Sequence, residues 1–117
     1  MNRRVLIFLA ALATIPVPAM AHAFLVKAHP AAGENLPASP ARIELLFSEA
    51  LEPAFSDVTV IDMQGRDMTA GPSAASASEI YRPLKKLAPG RYRVSWHAVS
   101  QDTHRSEGSY NFLILPR

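Results

Sequence analysis

The chain has 117 residues, no cysteine, and 12 Lys+Arg against 10 Asp+Glu. The absent cysteines exclude a disulfide framework, a thiolate-ligated blue-copper centre, a zinc ribbon, an iron–sulfur cluster and a thiol nucleophile. The small cationic excess vanishes when Arg3 and Arg4 are set aside with a leader, leaving ten charges of each sign, so composition gives no reason to expect nucleic acid or an anionic surface as partner.

The first residues have the layout of a secretory signal. Arg3 and Arg4 are followed by an apolar run from Val5 to Ile15, then by Pro16 and Pro18, then by Ala19-Met20-Ala21. That is a positive region, an apolar region and a small-x-small cleavage pattern. The run is shorter than the about 20 residues that span a bilayer, and no later stretch is longer. Cleavage is therefore expected between Ala21 and His22, with residues 1–21 as leader. Residues 22–117 then form one small exported domain with His22 as its first residue and no membrane span.

Turn residues punctuate the rest of the chain, and short alternating segments lie between them. Phe24 and Val26 belong to a first strand. Ile43, Leu45 and Phe47 share one face of Arg42–Phe47, and Val58 and Val60 one face of Asp57–Asp62. Leu51–Phe55 has room for a helical turn, Met63–Arg66 for a tight turn, and Ala70–Ser78 reads as a loop. Ile80 and Tyr81 mark a middle strand. Pro89 and Gly90 fit the two centre positions of a type II turn. Beyond it Tyr92, Val94, Trp96 and Ala98 alternate with Arg91, Arg93, Ser95 and His97, and Tyr110, Phe112 and Ile114 line one face of a last strand, Gly108–Leu115. About seven short strands of this kind predict an all-β Greek-key sandwich.

Four histidines remain after cleavage: His22, His29, His97 and His104. An N-terminal His22 offers its α-amine and its Nδ1, which together close a six-membered chelate ring. Ordinary values near 8 for the amine and 6.5 for the imidazole let a metal displace both protons near neutral pH. Asp102 and His104 stand two apart between the last two strands, so an extended backbone sends both side chains to one face. A set of three nitrogens and one oxygen in tetragonal geometry suits Cu(II) among first-row ions. An aspartate in a turn also commonly accepts backbone hydrogen bonds, and Asp-x-His alone is a weak motif. His97 reads as a surface strand residue and His29 as a loop residue.

The sequence resembles the periplasmic copper-resistance protein C family, the CopC-like proteins, over essentially all of residues 22–117. The likeness begins at His22-Ala23-Phe24-Leu25 and His29-Pro30-Ala31-Ala32-Gly33. It runs through Ala41-Arg42-Ile43-Glu44-Leu45-Leu46-Phe47-Ser48-Glu49 and Leu87-Ala88-Pro89-Gly90-Arg91-Tyr92-Arg93-Val94-Ser95-Trp96. It closes on Val99-Ser100-Gln101-Asp102-Thr103-His104 and Gly108-Ser109-Tyr110-Asn111-Phe112. The resemblance implies a seven-stranded Greek-key β-sandwich or barrel of immunoglobulin-like or cupredoxin-like shape. It implies Cu(II) held by the amine and imidazole of His22 with Asp102 and His104. Glu49 matches a position close to the copper, either as a weak extra ligand or as an acceptor that orients a ligand. Some members carry a methionine-rich loop for Cu(I); here residues 22–117 hold only Met63 and Met68, so a Cu(II)-only member is expected.

The function expected from this resemblance is a non-enzymatic carrier, buffer or chaperone for the copper ion in the periplasm, serving copper resistance. Its partner would be a separate membrane copper transporter or another periplasmic copper protein. Two other functions stay open at the level of sequence. One is an oxidative copper enzyme of the histidine-brace type, for which the short chain with one tryptophan offers little substrate platform. The other is a metal-free structural sandwich, since fold alone does not fix function.

Overall fold

A computed structural model of the chain describes residues 24–117; the expected leader and His22 lie outside the described residues. Eight strands form: β1 (Leu25–His29), β2 (Asn35–Leu36), β3 (Arg42–Phe47), β4 (Asp57–Ile61), β5 (Ala74–Ser76), β6 (Glu79–Pro83), β7 (Gly90–Val99) and β8 (Arg105–Ile114). A 3₁₀ turn at Pro53–Phe55 precedes β4, within the stretch expected to hold a helical turn. The strands make two four-stranded sheets in the orders β1-β3-β6-β5 and β2-β8-β7-β4. All pairs are antiparallel except β2 with β8.

The all-β sandwich is the fold the sequence predicts, with the inward faces where alternation placed them. Ile43, Leu45 and Phe47 of β3, Val58 and Val60 of β4, and Tyr92, Val94, Trp96 and Ala98 of β7 are buried, as are Ile80, Phe112 and Ile114. Each Val, Leu, Ile or Phe side chain among them removed from water stabilises the fold by about 1.5–3 kcal/mol before entropy is counted. His97 sits on the outer face of β7, as expected.

Four details depart from the sequence reading. The strand count is eight, not seven, and β5 lies inside the expected loop Ala70–Ser78. An Ala-Ala-Ser edge strand has no apolar alternation to reveal it. Its turn to β6 places Ala77 at φ +54°, where glycine is the usual mark. In β1 the pairing register with β3 shifts between Leu25 and Lys27, so alternation fails there. Phe24 is buried just before the strand while Val26 is exposed. The last strand begins at Arg105 rather than Gly108. Gly90 has positive φ as expected, but at +146° rather than the roughly +80° of a type II turn. The Ala88 carbonyl there accepts the Tyr92 hydroxyl at 2.6 Å, the tyrosine corner of immunoglobulin-like sandwiches.

Arg82 fastens the two sheets along one edge. From β6 its guanidinium donates to the Gly71 carbonyl at 2.8 Å, to Asp57 Oδ1 at 3.1 Å and to the Val58 carbonyl at 3.0 Å, the last two on β4.

Candidate metal centre

At one end of the sandwich β7 passes into β8 through the turn Ser100–His104, and the segment after β3 lies against that turn. Glu52 N–H donates to the Val99 carbonyl at 2.8 Å and Gln101 N–H to the Ala50 carbonyl at 3.0 Å, and Leu51 bridges Ser100. Ser56, itself buried, adds a staple: its Oγ donates to the Glu52 carbonyl at 2.9 Å and accepts the Val99 N–H at 3.1 Å. Glu49 is thereby held beside Asp102 and His104.

The structure brings together three of the four residues that the sequence reading named for the metal. Among the described residues, Glu49, Asp102 and His104 each present a potential ligand atom, all within 4.8 Å of one another, and all three are exposed. His104 Nδ1 lies 3.1 Å from Asp102 Oδ1 and 3.9 Å from Glu49 Oε1. Two ligand atoms on adjacent corners of an ion with bonds of about 2.0–2.1 Å would stand roughly 2.9 Å apart. The Asp102–His104 pair is thus already near the spacing that one ion requires. An imidazole nitrogen and carboxylate oxygens are borderline and hard donors, which suit a first-row divalent ion rather than Cu(I).

The way Asp102 and His104 converge differs from expectation. The backbone is not extended between them. Gln101 and Asp102 form a turn, Thr103 N–H donates to the Ser100 carbonyl at 2.9 Å, and Thr103 sits at φ +71°. The turn, not strand alternation, brings both side chains to one side. Ser100 N–H donates to the His104 carbonyl at 2.8 Å and closes the loop.

The Ser100 hydroxyl donates to Asp102 Oδ1, and that hydrogen bond is the main reason the Asp102 carboxyl titrates below its ordinary value. Partial desolvation opposes it, while the His104 backbone N–H, Glu49 and the His104 charge add to it. Asp102 is accordingly an anion at neutral pH. Sequence reading gave Ser100 no role; a serine two residues before an aspartate hints only at a turn.

His22 lies outside the described residues. Two residues further along, Phe24 is buried against Phe47 with ring centroids 5.3 Å apart, and its carbonyl accepts the Ser48 N–H at 2.9 Å. His29 and His97 are not part of the Glu49–Asp102–His104 group. His97 instead stands between Asp57 and Glu107 across β4, β7 and β8. Met63 is exposed on its turn, and Met68 packs against the edge of the core.

Comparison with known proteins agrees with this architecture. The family model of the CopC domain matches residues 25–114. The copper resistance protein C of Xanthomonas campestris pv. juglandis is 39% identical over 105 residues, which cover 82% of this chain and 82% of that protein. The copper transport protein CutJ of Bacillus subtilis is 30% identical over 97% of this chain, a stretch that makes up 22% of CutJ. The crystal structure of CopC from Methylosinus trichosporium OB3b superposes with a TM-score of 0.74 at 32% identity, covering 82% of this chain and 96% of that one. With its two-sheet fold, a family model spanning most of its length and relatives named for copper resistance and transport, the chain belongs to the CopC family and its function lies in the handling of copper.

Proposed function

We propose that the mature protein begins at His22, resides in the periplasm and carries one Cu(II) ion without catalysing a reaction on it. In this reading the His22 amine and Nδ1 form a chelate, Asp102 and His104 complete a tetragonal set, and Glu49 stands beside the metal as a weak ligand or as an acceptor for a ligand proton. The observation that carries the reading is the convergence of Glu49, Asp102 and His104 at the end of the sandwich where Phe24 is fastened.

The ladder between β1 and β3 supports it further. Leu25 pairs with Phe47 and the Phe24 carbonyl takes the Ser48 N–H, so Phe24 lies beside the segment that carries Glu49. The proposed terminal histidine is two residues from Phe24, a span of at most about 7 Å of extended chain. An ionised Asp102 offsets part of the ion's charge, and the exposure of all three side chains allows an ion to enter and leave. A carrier needs both. Delivery to or from a separate membrane copper transporter, or another periplasmic copper protein, fits the occurrence of a matching segment within the longer protein CutJ.

The test is a Cu(II) titration, followed by electron paramagnetic resonance, of two proteins: one starting at His22 and one with a single residue added before it. The first is expected to take up one equivalent with a tetragonal, nitrogen-split signal. The second is expected to bind far more weakly, because its amine no longer belongs to the histidine. Equal affinities would sink the terminal chelate.

A further inference from the structure

Ser100 is fully buried, with 0% of its surface exposed, yet its side chain is polar. A buried hydroxyl is retained only where its hydrogen bonds are made. Here the chemistry of the partners fixes their direction. A backbone N–H can only donate, so Ser100 Oγ accepts from His104 N–H, at 3.1 Å. An ionised carboxylate can only accept, so the hydroxyl proton goes to Asp102 Oδ1. One buried atom therefore ties the carboxylate of one candidate ligand to the backbone of the other. It is immobile itself, because Ser100 N–H and C=O are both committed to the turn, to His104 and Thr103.

Asp102 and His104 are solvent-exposed, and an exposed side chain left untethered samples several rotamers that a metal must then order. We propose that Ser100 is a positioning residue for the copper site, presetting the Asp102 carboxylate and the His104 backbone so that the ion meets a nearly formed pair of donors. This rests on the copper site proposed above. Ser100 does not touch the metal; it acts through the two residues that do. Its position below the site, rather than in it, lets the rest of the donor set remain open to solvent while one side is rigid.

The experiment measures Cu(II) affinity by chelator competition, and the paramagnetic spectrum, in protein starting at His22. Ser100→Ala is expected to weaken binding about 10–100-fold, the usual cost of losing a group that orients a metal ligand. Its spectrum should broaden or shift as Asp102 loses its fixed pose. Combining Ser100→Ala with Asp102→Ala should cost little more than Asp102→Ala alone, because the hydroxyl then has no carboxylate to hold. If Ser100→Ala disturbs folding, Ser100→Thr and Ser100→Val carry the same test. The two are nearly the same shape and differ by the hydroxyl, so tighter binding by the threonine variant supports the proposal and equal binding overturns it. Unchanged affinity in a folded Ser100→Ala protein overturns it while leaving the copper site standing. So do losses from Ser100→Ala and Asp102→Ala that multiply as independent effects. Native protein that takes up no copper overturns both.

Discussion

The backbone N–H of Gln101 donates to the carbonyl of Ala50 at 3.0 Å, so the segment carrying Glu49 and the turn carrying Asp102 and His104 move as one piece. Glu49, Asp102 and His104, from two distant parts of the chain, thus sit on segments tied together by main-chain bonds. Substitution of a donor should therefore alter the metal without collapsing its surroundings.

The two strand-end histidines separate cleanly on that basis. His104→Ala is expected to lower Cu(II) affinity by 10-fold or more, on the order of 1.4 kcal/mol or greater. His97→Ala, on the outer face of β7, should stay within about twofold of the native protein. Glu49→Gln should fall between them. Chelator competition on the three variants checks this, and equal losses for His97 and His104 would mean that the wrong imidazole has been assigned to copper.

Acid should release the ion through its nitrogens. Protons compete with copper for amine and imidazole nitrogens, whereas the Ser100 hydroxyl keeps the Asp102 carboxyl below its ordinary value. Affinity is expected to fall as pH drops from 7 to 5, with two to three protons taken up per copper released, an order-of-magnitude count from the donor set. An affinity that did not change between pH 7 and 5 would point to carboxylates alone, contrary to the proposal. In the metal-free protein the sign for Asp102 is that of any depressed carboxyl. Its contribution to stability is present above the unfolded value and is lost as pH falls through the folded one.

Arg82 supplies a test of the sandwich independent of copper. Arg82→Ala removes the donors to Gly71, Asp57 and Val58 and is expected to cost roughly 1–3 kcal/mol. For a domain of this size that is about 4–8 °C in Tm for each kcal/mol. Arg82→Lys should recover little, since an ammonium cannot reproduce the planar fork. Copper stoichiometry should be unchanged in both. A thermal scan showing no loss of stability would mean that the sheets are closed by packing alone.

Much of the fold was legible because burial leaves a period-two trace. Ile43-x-Leu45-x-Phe47 and Tyr92-x-Val94-x-Trp96-x-Ala98 can serve only as half-buried strands. What escaped has no such trace. β5 is alanine and serine on an edge, the β1 irregularity inverts a face within two residues, and the turn at Ala77 lacks its glycine. Of the candidate site, Asp102 and His104 were readable as donor types, and Glu49 only through the family resemblance. Ser100 was not, because a serine's value depends on which atoms the fold brings to its hydroxyl. Arg82 was hidden for the same reason, since a charge on a strand reads as solvent-facing until its carbonyl partners are known.

The fastening of Phe24 to Ser48 and Phe47 has a practical side. On the proposed cleavage only two residues precede Phe24, so any tag or scar joined there would begin within three residues of β1, whose partner strand β3 leads to Glu49. Arg117 is the better handle. The ten-residue strand β8 runs from the turn at His104 to Ile114, carrying the tail about 30 Å away. A fusion, a surface anchor or a fluorophore placed there leaves the mouth of the domain clear.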